Sequence, residues 1–170
     1  MGFRETAEFQ QGQSAERRIA RMLQSKGFFV NPSYDYSGED GNKAPRLEGK
    51  DHSFVVPDLD ASRDGVRLWV EVKSKSKPVV WGKTGEIRHG IELRHFWSYR
   101  QIEKITGSRV FLVVVEENSG EVLCASLSKL ARAPISGKGT KWAEKMVFWP
   151  RDTFSVIGAV ETYQHAIGMA

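Results

Sequence analysis

The stretch Pro57-Asp58-Leu59-Asp60-Ala61-Ser62-Arg63-Asp64-Gly65-Val66-Arg67-Leu68-Trp69-Val70-Glu71-Val72-Lys73 decides the reading of this chain. Arg63-Asp64-Gly65 is a turn between two short runs of strand-forming residues, so the stretch reads as a β-hairpin. Asp58 falls at the start of the first strand, and Glu71 and Lys73 fall near the end of the second. Side chains alternate along a strand, so Glu71 and Lys73 share one face with Trp69, while Val66, Leu68, Val70 and Val72 take the other. Trp69 on the charged face argues that this face packs against something. The hairpin therefore gathers two carboxylates and one ammonium group. Such a nook suits a hard divalent cation, which takes oxygen ligands from one or two carboxylates. The backbone carbonyl of Val72, between Glu71 and Lys73, can add a neutral ligand. The equipment matches hydrolysis of a phosphodiester, whose charge repels nucleophiles and whose leaving group is poor. Lys73 can stabilise developing negative charge, or orient and deprotonate the attacking water if burial lowers its pKa.

Outward from the hairpin, residues 14–26 read as a helix, with Ser14 as N-cap, Gly27 as stop and Ala15, Ile19, Met22 and Leu23 as the apolar stripe. Glu16 borders that stripe and can bring a third carboxylate to the cluster if the helix packs beside the hairpin. Without that packing, it is a favourable charge in the first helical turn. Arg17, Arg18 and Arg21 are expected on the solvated side, with a phosphate contact as the alternative. Phe28–Val30 and Phe54–Val56 read as strands, with a long polar segment, 31–53, between them. Residues 78–90 look irregular apart from Val79–Trp81. A helix is expected from Glu92 to Thr106, with Tyr99 in the core and His95 at the surface one turn away; substrate contact by either, so near the basic stretch, is the alternative. Val110–Val115 is a strand buried on both faces, followed by a turn and a return strand at Val122–Ser126. Met146–Trp149 and Phe154–Ile157 are expected as terminal strands. The order gives an α/β class, a mixed central β-sheet flanked by helices, in a single domain over residues 1–170.

A chain of 170 residues with a formal net charge of +4 admits a nucleic-acid partner without requiring one. The charge is unevenly placed. Residues 73–109 carry nine Lys/Arg against three acids, a sum of +6 just after the candidate site. Lys75, Lys77, Lys83 and Arg88, with Trp81 among them, read as a phosphate-tracking stretch with a stacking aromatic; plain solubilising charge is the alternative. Tyr34 and Tyr36 can stack on bases or pin the long loop, and Lys138 and Lys141 read as loop charge. Cys124 is the lone cysteine, which excludes an internal disulfide framework and leads us to expect a reducing, intracellular (cytoplasmic) setting. No apolar run approaches membrane-spanning length, and the scattered histidines argue against a zinc site.

Pro57-Asp58 followed by Glu71-Val72-Lys73 is similar to the signature of the PD-(D/E)XK nuclease superfamily. Within it the chain most resembles Holliday-junction resolvases. These also open with a helix like Ser14-Ala15-Glu16-Arg17-Arg18 and continue past the Glu-x-Lys strand into a basic Ser/Lys stretch, here Ser74-Lys75-Ser76-Lys77. The resemblance covers residues 14–130; the polar segment 31–53 and the extension 131–170 go beyond it. It implies a restriction-endonuclease-like fold, with Asp58 and Glu71 as metal ligands, Lys73 as catalytic lysine and Glu16 as the helix acid. It implies Mg²⁺, with Mn²⁺ as substitute, and DNA as substrate, branched or structured by preference, as in DNA recombination. Symmetric cutting of two strands needs two sites, which a homodimer would provide. The alternatives are a restriction, phage-type or RNA-processing nuclease, and a nuclease-fold protein that binds nucleic acid without cutting.

Overall fold

A computed structural model describes residues 6–33, 45–77, 79–132, 135–136 and 145–163. Tyr34, Tyr36, Lys138 and Lys141 lie outside them, as does the side chain of Lys83. The first helix, α1 (Ala7–Ser25), starts a full two turns before the expected Ser14. Thr6 caps it, its side chain accepting from the Phe9 N–H, and Glu8 sits favourably in the first turn. Ser14 is interior, and its carbonyl accepts from Arg18 Nε at 3.3 Å.

Six strands form the main sheet in the order β1 (Phe29–Pro32), β4 (Leu59–Arg63), β5 (Val66–Lys75), β8 (Arg109–Glu116), β9 (Glu121–Ser126), β12 (Ser155–Ala159). β5 and β8 run parallel and every other pair is antiparallel, which is the mixed sheet expected. Asp64 and Gly65 both take positive φ at the β4–β5 turn, as a tight hairpin requires. β2 (Arg46–Glu48) and β3 (Ser53–Val55) form a separate hairpin inside and just after the long polar segment.

The period-2 alternation of β5 sorts its side chains into two layers. Val70 and Val72 pack with Ala15 and Ile19 of α1, together with Leu59, Val113 and Val115. Trp69 points the other way, among Phe96, Tyr99 and Ile102 of α2 (Leu93–Thr106), with Val110, Leu112 and Val114 from β8. The two helices thus sandwich the sheet. Gly107 closes α2 in the left-handed region, where a residue without Cβ is favoured.

One expectation about the strands needs correcting. Past the expected strand β6 (Val79–Trp81), residues 82–90 are not irregular: a 3₁₀ turn at Gly82–Thr84 leads into β7 (Glu86–Glu92), and β6 and β7 belong to a second sheet, ordered β10-β11-β7-β6. The two strands expected past residue 130 are present: β11 (Met146–Pro150) is an inner strand of this second sheet beside β10 (Ile135–Ser136), and β12 closes the main sheet. Trp149 of β11 is fully buried, and its indole N–H donates to Leu130 O of the short α3 (Leu127–Leu130) at 2.8 Å. The short, polar-interrupted runs hid this layer, since each half finds its partner only across some sixty residues of chain (Arg88 with Pro150). Among the described residues no helix is long and apolar enough to cross a membrane.

Candidate active site

The register shows why the hairpin opens where it does. β4 pairs with β5 only as far as Leu59 opposite Val70, whereas β5 and β8 stay paired out to Lys75 opposite Glu116. From Glu71 onward, β5 has lost its neighbour on the β4 side. Asp58, just before β4, takes over: its Oδ2 accepts the Val72 N–H at 2.7 Å. The carboxylate thus satisfies a backbone donor that the ladder leaves behind, and this holds it beside Glu71. Pro57 before it offers no N–H to compete.

Glu71 is 2% exposed. Its Oε1 takes the Lys73 ammonium at 2.7 Å and its Oε2 takes the Tyr99 hydroxyl at 2.6 Å. Asp58 is buried as well, and burial, then Glu71, then Glu16 push its pKa well above the usual carboxylate range. Glu16, half-buried on α1, is pushed up to about 7 by burial and by Glu71, against the pull of Lys73. The three acids therefore form one electrostatic unit, with Lys73 as its chief counterweight. Burial alone would lower Lys73, but Glu71 and Asp58 overcome it and raise the amine above its ordinary value. The expected lowering of the Lys73 pKa by burial is outweighed by these two carboxylates, and the ammonium is placed to stabilise negative charge.

The remaining residues singled out in the sequence are spread more widely. Val72 presents its N–H to Asp58, within the cluster. Lys75 is half-buried, its pKa lowered by burial and by Lys73; Lys77 is exposed. Trp81 stacks under the Arg88 guanidinium, 4.3 Å from the ring centroid, and packs on Phe148. Arg88 itself is buried and paired with Glu86, so its charge is met inside the second sheet rather than offered to solvent. Arg17 and Arg21 are solvated as expected, but Arg18 is not. It is 8% exposed and grips Glu117 through two hydrogen bonds, and Glu117 also accepts from Ser74 Oγ at 2.5 Å. Gln11 of the same helix donates to Ser74 and accepts from Ser76. α1 is thereby tied to the end of β5 next to Lys73, and this is what brings Glu16 to the cluster.

Sequence reasoning passed over Glu92, and it placed Tyr99 in the core without its hydroxyl contact and His95 at the surface. All three sit on or beside the first turns of α2: Tyr99 reaches Glu71, Glu92 lies in the field of Lys73, and His95 packs against both of them. The spacing Glu92-x-x-His95-x-x-x-Tyr99, one face of a helix, was the available signal.

The whole fold also matches solved structures. The Holliday junction resolvase Hjc of Archaeoglobus fulgidus superposes with a TM-score of 0.53 at 12% identity, over 84% of this chain and 91% of that one. D212, a nuclease from a fusellovirus, superposes with a TM-score of 0.54 at 15% identity, over 89% and 88%. The fold is restriction-endonuclease-like. At these identities the likeness concerns architecture, and the resemblance read from Pro57-Asp58 and Glu71-Val72-Lys73 is borne out at that level. No protein-family profile matches the sequence, and no curated protein matches it by sequence.

Proposed function

We propose that the protein is a divalent-metal-dependent endonuclease that hydrolyses phosphodiester bonds in DNA, with branched or structured DNA as preferred substrate. One observation carries the reading. Asp58 and Glu71 are buried together at the open end of β5, with Glu16 in electrostatic reach and the Lys73 ammonium in contact with Glu71. Burial of mutually repelling carboxylates costs stability unless a cation offsets it, and the donor set is all oxygen, as Mg²⁺ or Mn²⁺ prefers. Among the described residues no three His, Cys, Asp or Glu side chains converge as a ready-made cage. The fit is therefore of the sparse kind that keeps waters and substrate phosphate as the other ligands. Asp58, Glu71 and the Val72 carbonyl would hold the ion, with Glu16 at its edge. Such an ion polarises the phosphate and makes bound water more acidic. Lys73 places a fixed positive charge where the phosphorane gains negative charge. Lys77, exposed beyond it, extends the positive field along the substrate backbone.

The test is cleavage of supercoiled plasmid and of a four-way junction, with Mg²⁺, with EDTA, and with Lys73→Ala in Mg²⁺. Cutting by the wild type in Mg²⁺ alone is expected, with the junction preferred. Equal cutting in all three conditions, or none in any, removes the reading. An RNA duplex alongside separates an RNA-processing enzyme, and the mass in solution tests for the homodimer that two-strand cutting favours.

One observation favours a second reading, a nuclease-fold protein that binds DNA without cutting it: both Glu71 oxygens are already engaged, by Lys73 and Tyr99. Calorimetric titration with Mn²⁺ separates the two. No binding in wild type, together with salt-sensitive DNA binding, would favour the non-cutter.

A further inference from the structure

Beside the acidic cluster lies a second pair of titratable groups that the metal reading does not use. Glu92 is the last residue of β7 and the N-cap of α2, and His95 is one turn on. His95 Nδ1 and Glu92 Oε2 lie 3.3 Å apart. Both atoms are shut off from water, and neither meets hydrogen-bond geometry with any partner, so the contact between them is an electrostatic one. A carboxylate 3.3 Å away favours a proton on the nitrogen that faces it, so Glu92 biases the ring toward Nδ1–H and leaves Nε2 for another partner. The His95 side chain retains 21% of its exposure, and since Nδ1 is sealed, that exposure belongs to the rest of the ring. The ring lies 5.8 Å from that of Tyr99, tilted by 31°, and Tyr99 in turn donates to Glu71. Lys73 helps the His95 contact hold Glu92 down to about 2, against burial, so Glu92 sits at the rim of the same cluster and stays anionic.

The leaving oxygen of a phosphodiester needs a proton. Glu92 has none to give. Lys73 is held between Glu71 and Asp58 charges, and the Tyr99 hydroxyl is buried and committed to Glu71. Resting on the nuclease reading above, we infer that His95, oriented by Glu92, is the general acid that protonates the leaving oxygen of the cut strand. Water adds its oxygen to phosphorus and loses one proton to solvent. The bond from phosphorus to the leaving sugar oxygen breaks, and its electron pair stays on that oxygen. The oxygen takes the Nε2 proton of the imidazolium, and the neutral ring regains a proton from solvent. The sum is diester plus water giving monoester plus alcohol.

The experiment compares wild type, His95→Ala, His95→Gln, Glu92→Gln and Lys73→Ala on two junction substrates. One is ordinary DNA; the other carries sulfur in place of the leaving oxygen at the mapped cut position. A thiolate leaves without a proton, so it does not need the acid. On ordinary DNA both His95 variants should lose about 100-fold in kcat, with Glu92→Gln losing about 10-fold. On the sulfur substrate the three should fall within about threefold of wild type, while Lys73→Ala stays impaired on both. Junction affinity in EDTA should be unchanged for the His95 variants, and melting temperatures check that each is folded. Wild-type rates for His95→Ala on ordinary DNA would overturn the inference, and so would equal losses on both substrates, which mark a structural role. In either case the nuclease reading stands as long as wild type cuts and Lys73→Ala does not. A wild type that cuts neither substrate removes both.

Discussion

Glu16 is the most exposed of the three clustered acids, and removing its charge should stabilise the metal-free protein. Its carboxyl moves from an ordinary value of 4.5 to about 7, raised by burial and by Glu71. At about 1.4 kcal/mol per pH unit, that difference corresponds to roughly 3 kcal/mol. Partial solvent access screens the interaction, so about half is a fair expectation, ~1.5 kcal/mol. The sign follows from proton binding. Between pH 4.5 and 7 the folded state holds a proton that the unfolded state has released, so stability falls as pH rises through this window. The penalty is absent below 4.5 and complete above 7. Glu16→Gln keeps the shape and cannot ionise. In EDTA at pH 8 it should melt about 3–6 °C above wild type, at 2–4 °C per kcal/mol for a chain of this size. The gap should close as pH approaches 4.5, because every other titrating group is common to both proteins. Calorimetry or circular dichroism melts from pH 4.5 to 8.5 read it directly. On the metal reading, millimolar Mg²⁺ should shrink or reverse the gap at pH 8, since the ion stabilises the charged wild type more. A variant no more stable than wild type at pH 8 in EDTA would show that Glu16 is solvated and apart from Glu71, and the three-acid unit would be wrong.

Arg18→Met should destabilise by about 3–5 kcal/mol, because it strands Glu117 as a buried unpaired charge. Pairing it with Glu117→Leu should recover most of that loss in denaturant melts, and a double variant as weak as the single would refute the ion-pair account. Tyr99→Phe removes a charge-assisted hydrogen bond to Glu71 and should cost about 1.5–3 kcal/mol in urea unfolding. On the metal reading it should also weaken Mn²⁺ binding by about tenfold in calorimetry. Gly90→Ala places a Cβ against the Val147 carbonyl and 2.6 Å from the Phe148 ring, so the β7–β11 pairing must give way. The expected cost is about 1–3 kcal/mol by thermal melt, and a neutral result would mean that the second sheet is looser than its register.

The site was legible where chemistry and local periodicity coincide. Asp58, Glu71 and Lys73 lie within sixteen residues, and one strand alternation puts Glu71 and Lys73 on a common face, so the hairpin could be read without tertiary information. The α1 stripe at Ala15 and Ile19 was legible for the same reason, although its start was not. Thr6 caps as well as Ser14 does, and nothing local ranks them. Arg18 defeated the reading because arginine at a helix surface is ordinarily solvated. Glu117, nearly a hundred residues away, and the carbonyl of Glu161 turn it inward. β7 was missed likewise, although β6 and β11 beside it were expected as strands: Arg88 and His89 are buried strand residues whose partners, Glu86 with Trp81 and Glu116, are invisible to a pattern of apolar alternation.

The second sheet therefore has a role beyond covering one end of the core. β7 ends at Glu92, where α2 begins, and β11 holds that junction by pairing Met146 with Glu92 and by the Lys145 carbonyl accepting the Leu93 N–H. The Glu92–His95 pair thus depends for its position on a strand from the far end of the chain, whereas Asp58, Glu71 and Lys73 are carried by the hairpin, with Tyr99 of α2 closing on Glu71. The segment that looked like an appendage in the sequence is what sets the angle at which α2 enters the site.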